Sequence, residues 1–426
     1  MEKYRPHLHF TPPGQWMNDP NGLVFDGERY HLYYQHNPFD RVWGPMYWGH
    51  ATSENLLFWQ HEPMAMAPDG LGDIFSGSGV RLFGGQCPLL PNGGLAFLFT
   101  HHKHPVGLEQ QSLALSSDWG LTLRKYEGNP VIPNHKPGDF RDPKVFWYEE
   151  EKCFVMIVAG GPVRIYRSPD LVHWELTQAL DSIVTECPDL FPLDWEGETH
   201  WVLSCAGRSY YLGDFDGRAF VPRSGPFPMD AGGSFYAAQT FDNTGSRRII
   251  MGWMAGSAQA PTQPWRCCQS IPRECFLVQT AQGLRMGQRP VAELETIRGL
   301  GRSFEAAAGE TVTTRTDSHY FDARWTAEGK ASLSVFAGQD GENRLVKEEG
   351  GWRLIRSYSC EGYDSEQFLP DTGSTLRILA DQSTLELFTE EGQVLTTELY
   401  PPQAGLPVSL AVETGRSQLK IHPLPY

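Results

Sequence analysis

HATSENLLFWQHE (residues 50–62), LALSSDWGLTLRKYE (113–127) and IYRSPDLVHWELT (165–177) share one plan. Each has a strand-like run, a Ser followed by an acidic or amide turn residue, then an aromatic or long apolar residue opening the next run. Ser, Asp and Asn hydrogen-bond nearby backbone and favour turns, so each stretch reads as a hairpin. Hairpins recurring every 50 to 60 residues or so (roughly one small antiparallel sheet each) are what a β-propeller supplies. Any all-β protein with similar hairpins fits as well, and the repeat alone leaves the two readings level.

The runs around these hairpins, including GERYHLYYQH, LAFLFTHH, KVFWYEEEKCFVMIVAG, THWVLSCAG and RRIIMGWMAG, are rich in β-branched and aromatic residues. They are bounded by Gly, Pro, Asn or Asp, which marks them as strands. A chain of 426 residues with 44 Gly, 32 Pro and 23 Phe is long enough for two domains and turn-rich enough for short strands. At QRPVAELETIRGLGRSFE the aromatic content falls and a short helical segment is expected. The sequence therefore divides into residues 1–290, a linker at 291–303 and residues 304–426. Beyond the linker, ASLSVFAGQ, GWRLIRSYS, STLRILADQSTLELFTEEGQVLTTELYP and LPVSLAVETG alternate polar and apolar residues. Half-buried antiparallel strands of this kind pack as a β-sandwich.

The formal charge of -16 disfavours nucleic acid, whose phosphates call for clustered Lys and Arg. A small neutral substrate fits better. MEKYRPHLHF has no apolar core and no run of about 18 apolar residues occurs, so neither export nor membrane association is expected, and the protein reads as cytoplasmic. The eight cysteines (Cys87, Cys153, Cys187, Cys205, Cys267, Cys268, Cys275, Cys360) form no CxxC pair, and buried free thiols are expected. Homo-oligomerisation is compatible with this composition.

WMNDPNG, residues 16–22, is turn vocabulary, yet Trp16 and Met17 set an apolar wall beside Asp19. A carboxylate held there needs hydrogen-bond partners or a task. Asp142 follows Arg141 in GDFRDPKVFWY; adjacent strand residues point to opposite faces, so these two need not pair. Glu186, in IVTECPDLF, follows a β-branched run, and burial there would raise its pKa as a general acid requires; Asp189 could be a turn residue. Three carboxylates on separate blades can converge at one end of a propeller and suit glycoside hydrolysis. Trp43, Trp48, Phe75, Tyr236 and Trp253 could offer flat faces to a sugar ring, although each alone fits a core equally. His101, His102 and His104 in THHKHP lack a second ligand cluster, so no metal is expected. FSGSGV is turn-like and a candidate sugar contact. No GxSxG or phosphate loop is present, so acyl-transfer and nucleotide chemistry lack their motifs.

HFTPPGQWMNDPNGLVF, YYQHNP, WGHATS, FSGS, FRDPKVF and ECPDLF, in this order, resemble glycoside hydrolase family 32, the invertases, fructanases and sucrose-6-phosphate hydrolases. SIPRE (270–274) and the C-terminal LRILADQSTLELFTEEGQVLTTELYP extend the resemblance over nearly the whole chain. The resemblance implies an all-β fold, a five-bladed β-propeller followed by a C-terminal β-sandwich. It implies hydrolysis of terminal β-fructofuranosides with retention and without a cofactor. It casts Asp19 as nucleophile, Glu186 as acid/base and Asp142 as transition-state stabiliser. Asn18, Gln35, Trp43, Phe75, Ser76, Arg141, Tyr236 and Trp253 would line the fructose pocket.

PWRCCQSIPRE and FTHHKHP depart from the family pattern at segments that could border the leaving group. The expected activity is release of non-reducing terminal fructose from sucrose and short fructooligosaccharides. Sucrose-6-phosphate hydrolase, exo-fructanase and fructosyltransferase are the rivals within the family, and a non-catalytic sugar-binding propeller is the rival outside it.

Overall fold

The computed structural model describes residues 2, 4–316, 320–338, 341–358, 365–400 and 407–425. Its described residues are almost entirely β: seven sheets, one 3-10 turn at Ala255–Gln259 and one helical turn at Glu293–Thr296. The short helix expected near the linker is thus a single turn.

The three repeats at 50–62, 113–127 and 165–177 occupy equivalent places in three consecutive sheets. Each links a third strand to a fourth: Tyr47–Ser53 to Gln60–Met66, Leu108–Ser116 to Arg124–Lys125, and Val163–Ser168 to Glu175–Leu180. In the first, the Asn55 carboxamide oxygen accepts the Leu57 and Phe58 N–H groups, both at 3.1 Å; in the third, Asp170 accepts those of Val172 and His173, both at 2.9 Å. Trp59 and Trp174 then donate their indole N–H groups back to the carbonyls of Leu56 (3.1 Å) and Leu171 (2.9 Å). The Asx turn and the tryptophan lock together fix the first and third hairpins, and in the second Asp118 accepts from the Thr122 N–H at 3.0 Å and its hydroxyl at 2.7 Å.

Five sheets built this way fill residues 15–290. Their first strands are Gln15–Phe25, Asp73–Leu82, Arg141–Tyr148, Pro188–Trp195 and Phe235–Thr240. Each first strand contacts the next, and the fifth contacts the first, which closes a ring. Trp265–Arg266 pairs in parallel with the start of Gln15–Phe25, and across the closure the Phe25 N–H donates to the Asp242 carbonyl while the Asp242 N–H donates to the Leu23 carbonyl.

Two of the turn-like stretches lie inside ring strands. WMNDPNG does not reverse the chain; it is part of Gln15–Phe25, whose register with Tyr30–Asn37 slips twice, between Met17 and Pro20 and between Asn21 and Val24. The Asn, Pro and Gly residues serve bulges that re-aim side chains. FSGSGV lies within Asp73–Leu82, where Gly77 passes so close to Leu98 that an added Cβ would meet its carbonyl oxygen at 2.1 Å. Here glycine marks a close approach of backbones rather than a turn.

Residues 302–423 form two six-stranded sheets. Their facing sides bury Trp325 against Trp352, with ring centroids 4.9 Å apart, among Leu333, Leu345, Ile378 and Leu387. Leu379, Phe388 and Val394, on the other side, pack instead with Leu8, Phe10 and Met17 of the ring. This two-sided alternation joins the C-terminal sheets to the ring.

Candidate active site

All eleven side chains to which the family resemblance gives a role line one cavity of about 470 Å³. The ring strands explain the convergence, because each contributes at or near its N-terminal end. Asn18 and Asp19 lie early in Gln15–Phe25, Phe75 and Ser76 early in Asp73–Leu82, and Arg141 and Asp142 begin Arg141–Tyr148. Glu186 immediately precedes Cys187 and the strand Pro188–Trp195, and Tyr236 is the second residue of Phe235–Thr240. Neighbouring strands add Gln35, whose amide donates to the Ile74 carbonyl at 2.9 Å, and Trp253. Trp43 stands at the mouth, 49% exposed and edge-on to Phe75.

The three carboxylates are held by different partners. Asp19 accepts from the Ser76 hydroxyl at 2.6 Å, the Asn18 amide at 3.0 Å and the Cys187 thiol at 3.5 Å. Trp16 fixes Asn18 in turn, its indole N–H donating to the Asn18 Oδ1 at 2.8 Å. Asp142 accepts the Cys187 backbone N–H at 3.0 Å. Glu186 accepts Arg141 Nη2 at 2.9 Å through one oxygen and the Tyr236 hydroxyl through the other.

Arg141 and Asp142 do not point to opposite faces, as extended neighbours would. Asp142 has φ 61°, and the left-handed backbone swings its carboxylate to within 3.8 Å of Arg141 Nε. Cys187, at φ 39°, is strained as well. Non-glycine residues held there cluster where function over-determines the backbone.

Burial raises the pKa of Asp19 even though Ser76, Asn18 and Cys187 oppose it, and the charge of Glu186 adds to the rise. Asp142, also driven by burial and then by the charge of Asp19, is pushed up to about 7 in spite of Arg141. Glu186 behaves contrary to expectation. Its side chain is 45% exposed; the partial burial that would raise its pKa is outweighed by Tyr236 and Arg141, and the net shift is downward. The β-branched run before it ends in a loop instead of enclosing it. In the open site Asp142 holds a proton more readily than the glutamate does.

Other sequence expectations resolve differently. Trp48 is fully buried against Tyr33, Phe97 and Phe99 and does not line this cavity. Asp189 is not a turn residue; it is wholly buried in a ring strand, 3.3 Å from Lys144 Nζ. The histidine cluster divides: His101 turns away to Ser112 at 2.7 Å, while His102 and His104 line the cavity. Seven cysteines are buried free thiols; Cys360 lies outside the described residues.

Sequence reasoning missed Glu109, Asp139 and Cys187 as cavity residues. Glu109 is directly opposite His102 in the ladder of its sheet, a pairing that register alone reveals. Cys187 carried a signal in standing between Glu186 and Pro188.

Two domain models of one family match the chain: the glycosyl hydrolases family 32 N-terminal domain over residues 9–290 and the family 32 C-terminal domain over residues 302–423. A levanase of Bacillus subtilis is 37% identical, the match covering 99% of this chain and 71% of the relative. A sucrose-6-phosphate hydrolase of Escherichia coli is 30% identical over 98% of this chain and 94% of its own. The crystal structure of an exo-inulinase from Aspergillus awamori superimposes with a TM-score of 0.89 at 27% identity, covering 100% of this chain and 99% of that one.

Proposed function

Because this chain belongs to glycosyl hydrolase family 32, we propose that it is a β-fructofuranosidase releasing non-reducing terminal fructose, with retention, from sucrose and short fructooligosaccharides. The observation that carries this reading is the convergence of Asp19, Asp142 and Glu186 in one cavity sized for a small saccharide. In the same reading the five ring sheets are propeller blades over residues 1–290, residues 291–303 are a linker and 304–426 the sandwich; the closed ring of first strands supports it.

Glu186 donates a proton to the leaving oxygen while Asp19 attacks the anomeric carbon, giving a fructosyl-enzyme. Water then enters with Glu186 as base. Asp142 accepts hydrogen bonds from fructose hydroxyls. The open-site proton distribution makes substrate part of the activation. A sugar filling the cavity strips water from Glu186 and raises its pKa, while hydroxyls donating to the aspartates favour their charged forms. The proton then resides on the acid and the nucleophile is ionised.

Exo-acting hydrolysis of fructan is the second reading, favoured by the exposed Trp43 at the mouth, a face on which a further sugar can stack. A phosphorylated leaving group is less favoured. His102 contacts Glu109 at 3.1 Å and His104 lies 3.4 Å from Asp73, so carboxylates already attend both imidazoles.

The test is release of fructose from sucrose, sucrose 6-phosphate, 1-kestose, inulin and levan at equal concentration. Turnover of sucrose and kestose with net retention supports the proposal. Silence on all five ends it, and a strong preference for the phosphorylated sugar or for the polymers moves the assignment within the family.

A further inference from the structure

Four carboxylates surround the single guanidinium of Arg141. Asp139 accepts from it at 2.5 Å, Glu186 at 2.9 Å and both oxygens of Glu109 at 3.3 Å, and Asp142 lies 3.8 Å away. Asp139 is largely exposed, so water screens its share. Glu109 is different. Its side chain is only 4% exposed, and Oε2 also accepts the Phe140 backbone N–H at 2.7 Å. Its Oε1 meets His102 Nδ1 at 3.1 Å, directly across the ladder.

A carboxylate only accepts, so His102 Nδ1 carries the hydrogen and Nε2 remains available to the cavity. The imidazole is also stacked on Phe75, centroids 4.2 Å apart and planes 10° from parallel. The hydrogen bond at its edge and the stacked face leave that ring one orientation.

We propose, on the fructosidase reading above, that Glu109 is a positioning residue for the reaction. It holds Arg141 from beneath, so that Glu186 receives only part of the guanidinium charge, and it sets His102 to present Nε2 to the sugar on the acid side of the cavity. Arg141 bonded to Glu186 alone would keep the acid ionised; Arg141 withdrawn altogether would leave Glu186 to Tyr236. Glu109 holds the balance between these.

The charged and titratable groups facing this unit are His102, Asp139, Arg141, Asp142 and Glu186, with His104 against His102 (ring centroids 4.3 Å apart) and Asp73 behind it, and Asp19, Cys187 and Tyr236 beyond Glu186. Replacing Glu109 by Gln removes one negative charge while keeping an oxygen for the Phe140 N–H. Arg141 is then shared among fewer carboxylates, which favours ionised Glu186 at lower pH.

The experiment is the pH profile of kcat and kcat/KM for sucrose in the wild type, Glu109→Gln and Glu109→Asp, with melting temperatures recorded for each. Glu109→Gln is expected to lose on the order of 10- to 100-fold in kcat/KM, the cost of a mispositioned group. Its alkaline limb is expected to move to lower pH by about half a unit or more. Glu109→Asp, which keeps the charge, is expected to restore the position of that limb. A folded Glu109→Gln enzyme with both limbs unmoved overturns the inference and leaves the fructosidase reading intact. A limb that stays shifted in Glu109→Asp overturns it too. A wild type inactive on every fructoside overturns the functional reading and the inference with it.

Discussion

Two clusters of carboxylates in this molecule differ in their supply of cations and in their access to water. At the seam between the ring and the C-terminal sheets, Asp381 and Glu386 are fully buried but balanced. His9 bridges them at 2.9 and 3.0 Å, and the N–H groups of His7, Leu8 and His9 all donate to Asp381. Arg273 adds a second cation, 2.8 Å from Glu386 and 3.1 Å from Asp230. Burial opposes ionisation there, yet the partners win: Asp381 and Glu386 sit below their ordinary range and His9 is pushed up to about 9. In the cavity one guanidinium serves four carboxylates, and Asp142 rises to about 7. Balanced charge makes a clamp; unbalanced charge leaves protons that can move.

The largest effect expected at the cavity is on turnover. Asp19→Asn and Glu186→Gln should each lower kcat by on the order of 10⁴-fold. Asp19→Asn should also melt at or above the wild-type temperature, because it removes a carboxylate that burial disfavours. An Asp19→Asn enzyme of near-normal activity breaks the comparison outright.

The clamp should respond the other way. Arg273→Met leaves Glu386 and Asp230 buried without their cation and should cost about 3–5 kcal/mol in urea denaturation. A loss below about 1 kcal/mol would mean that His9 and the backbone N–H groups suffice without it.

Stability against pH separates the clusters more finely. His9 has a folded pKa above its unfolded 6.5, so its contribution is full below pH 6.5 and is lost as pH rises through about 9. The loss amounts to about 3 kcal/mol. Asp142 is also raised, from 3.8 to about 7, so the folded state keeps a proton that the unfolded chain has released, and stability falls as pH rises between those values. Asp142→Asn should flatten the lower window and leave the upper one; flattening of both would show that the clusters are coupled.

The smallest effect concerns the mouth. Trp43→Ala should raise KM for kestose more than for sucrose, by a few-fold, the worth of about 1 kcal/mol of ring stacking. Equal effects on both sugars would remove the second stacking face from the model of the site.

The hairpin repeats were legible because Asx turns are local: the Ser-x-Asp and Ser-x-Asn pairs act within a few residues. Asp19, Asp142 and Glu186 were legible because each stands beside turn or β-branched residues in a motif whose order survives in the chain. SIPRE and LRILADQSTLELF were legible as motifs, but their work was not: Arg273 of one meets Glu386 of the other across 113 residues. Glu109 was hidden for a similar reason, since its partners His102 and Arg141 are brought to it by strand pairing and by a neighbouring sheet.

The sequence by itself determined the all-β class, the succession of hairpins and the choice of the three carboxylates that the fold gathers in one cavity, all of which rest on side-chain chemistry and short-range backbone preference. The tertiary structure alone decided where the protons lie. A carboxyl's pKa depends on how much water and how many cations surround it, and those are set by the ring that leaves Glu186 open, buries Asp142 and divides one arginine among four acids.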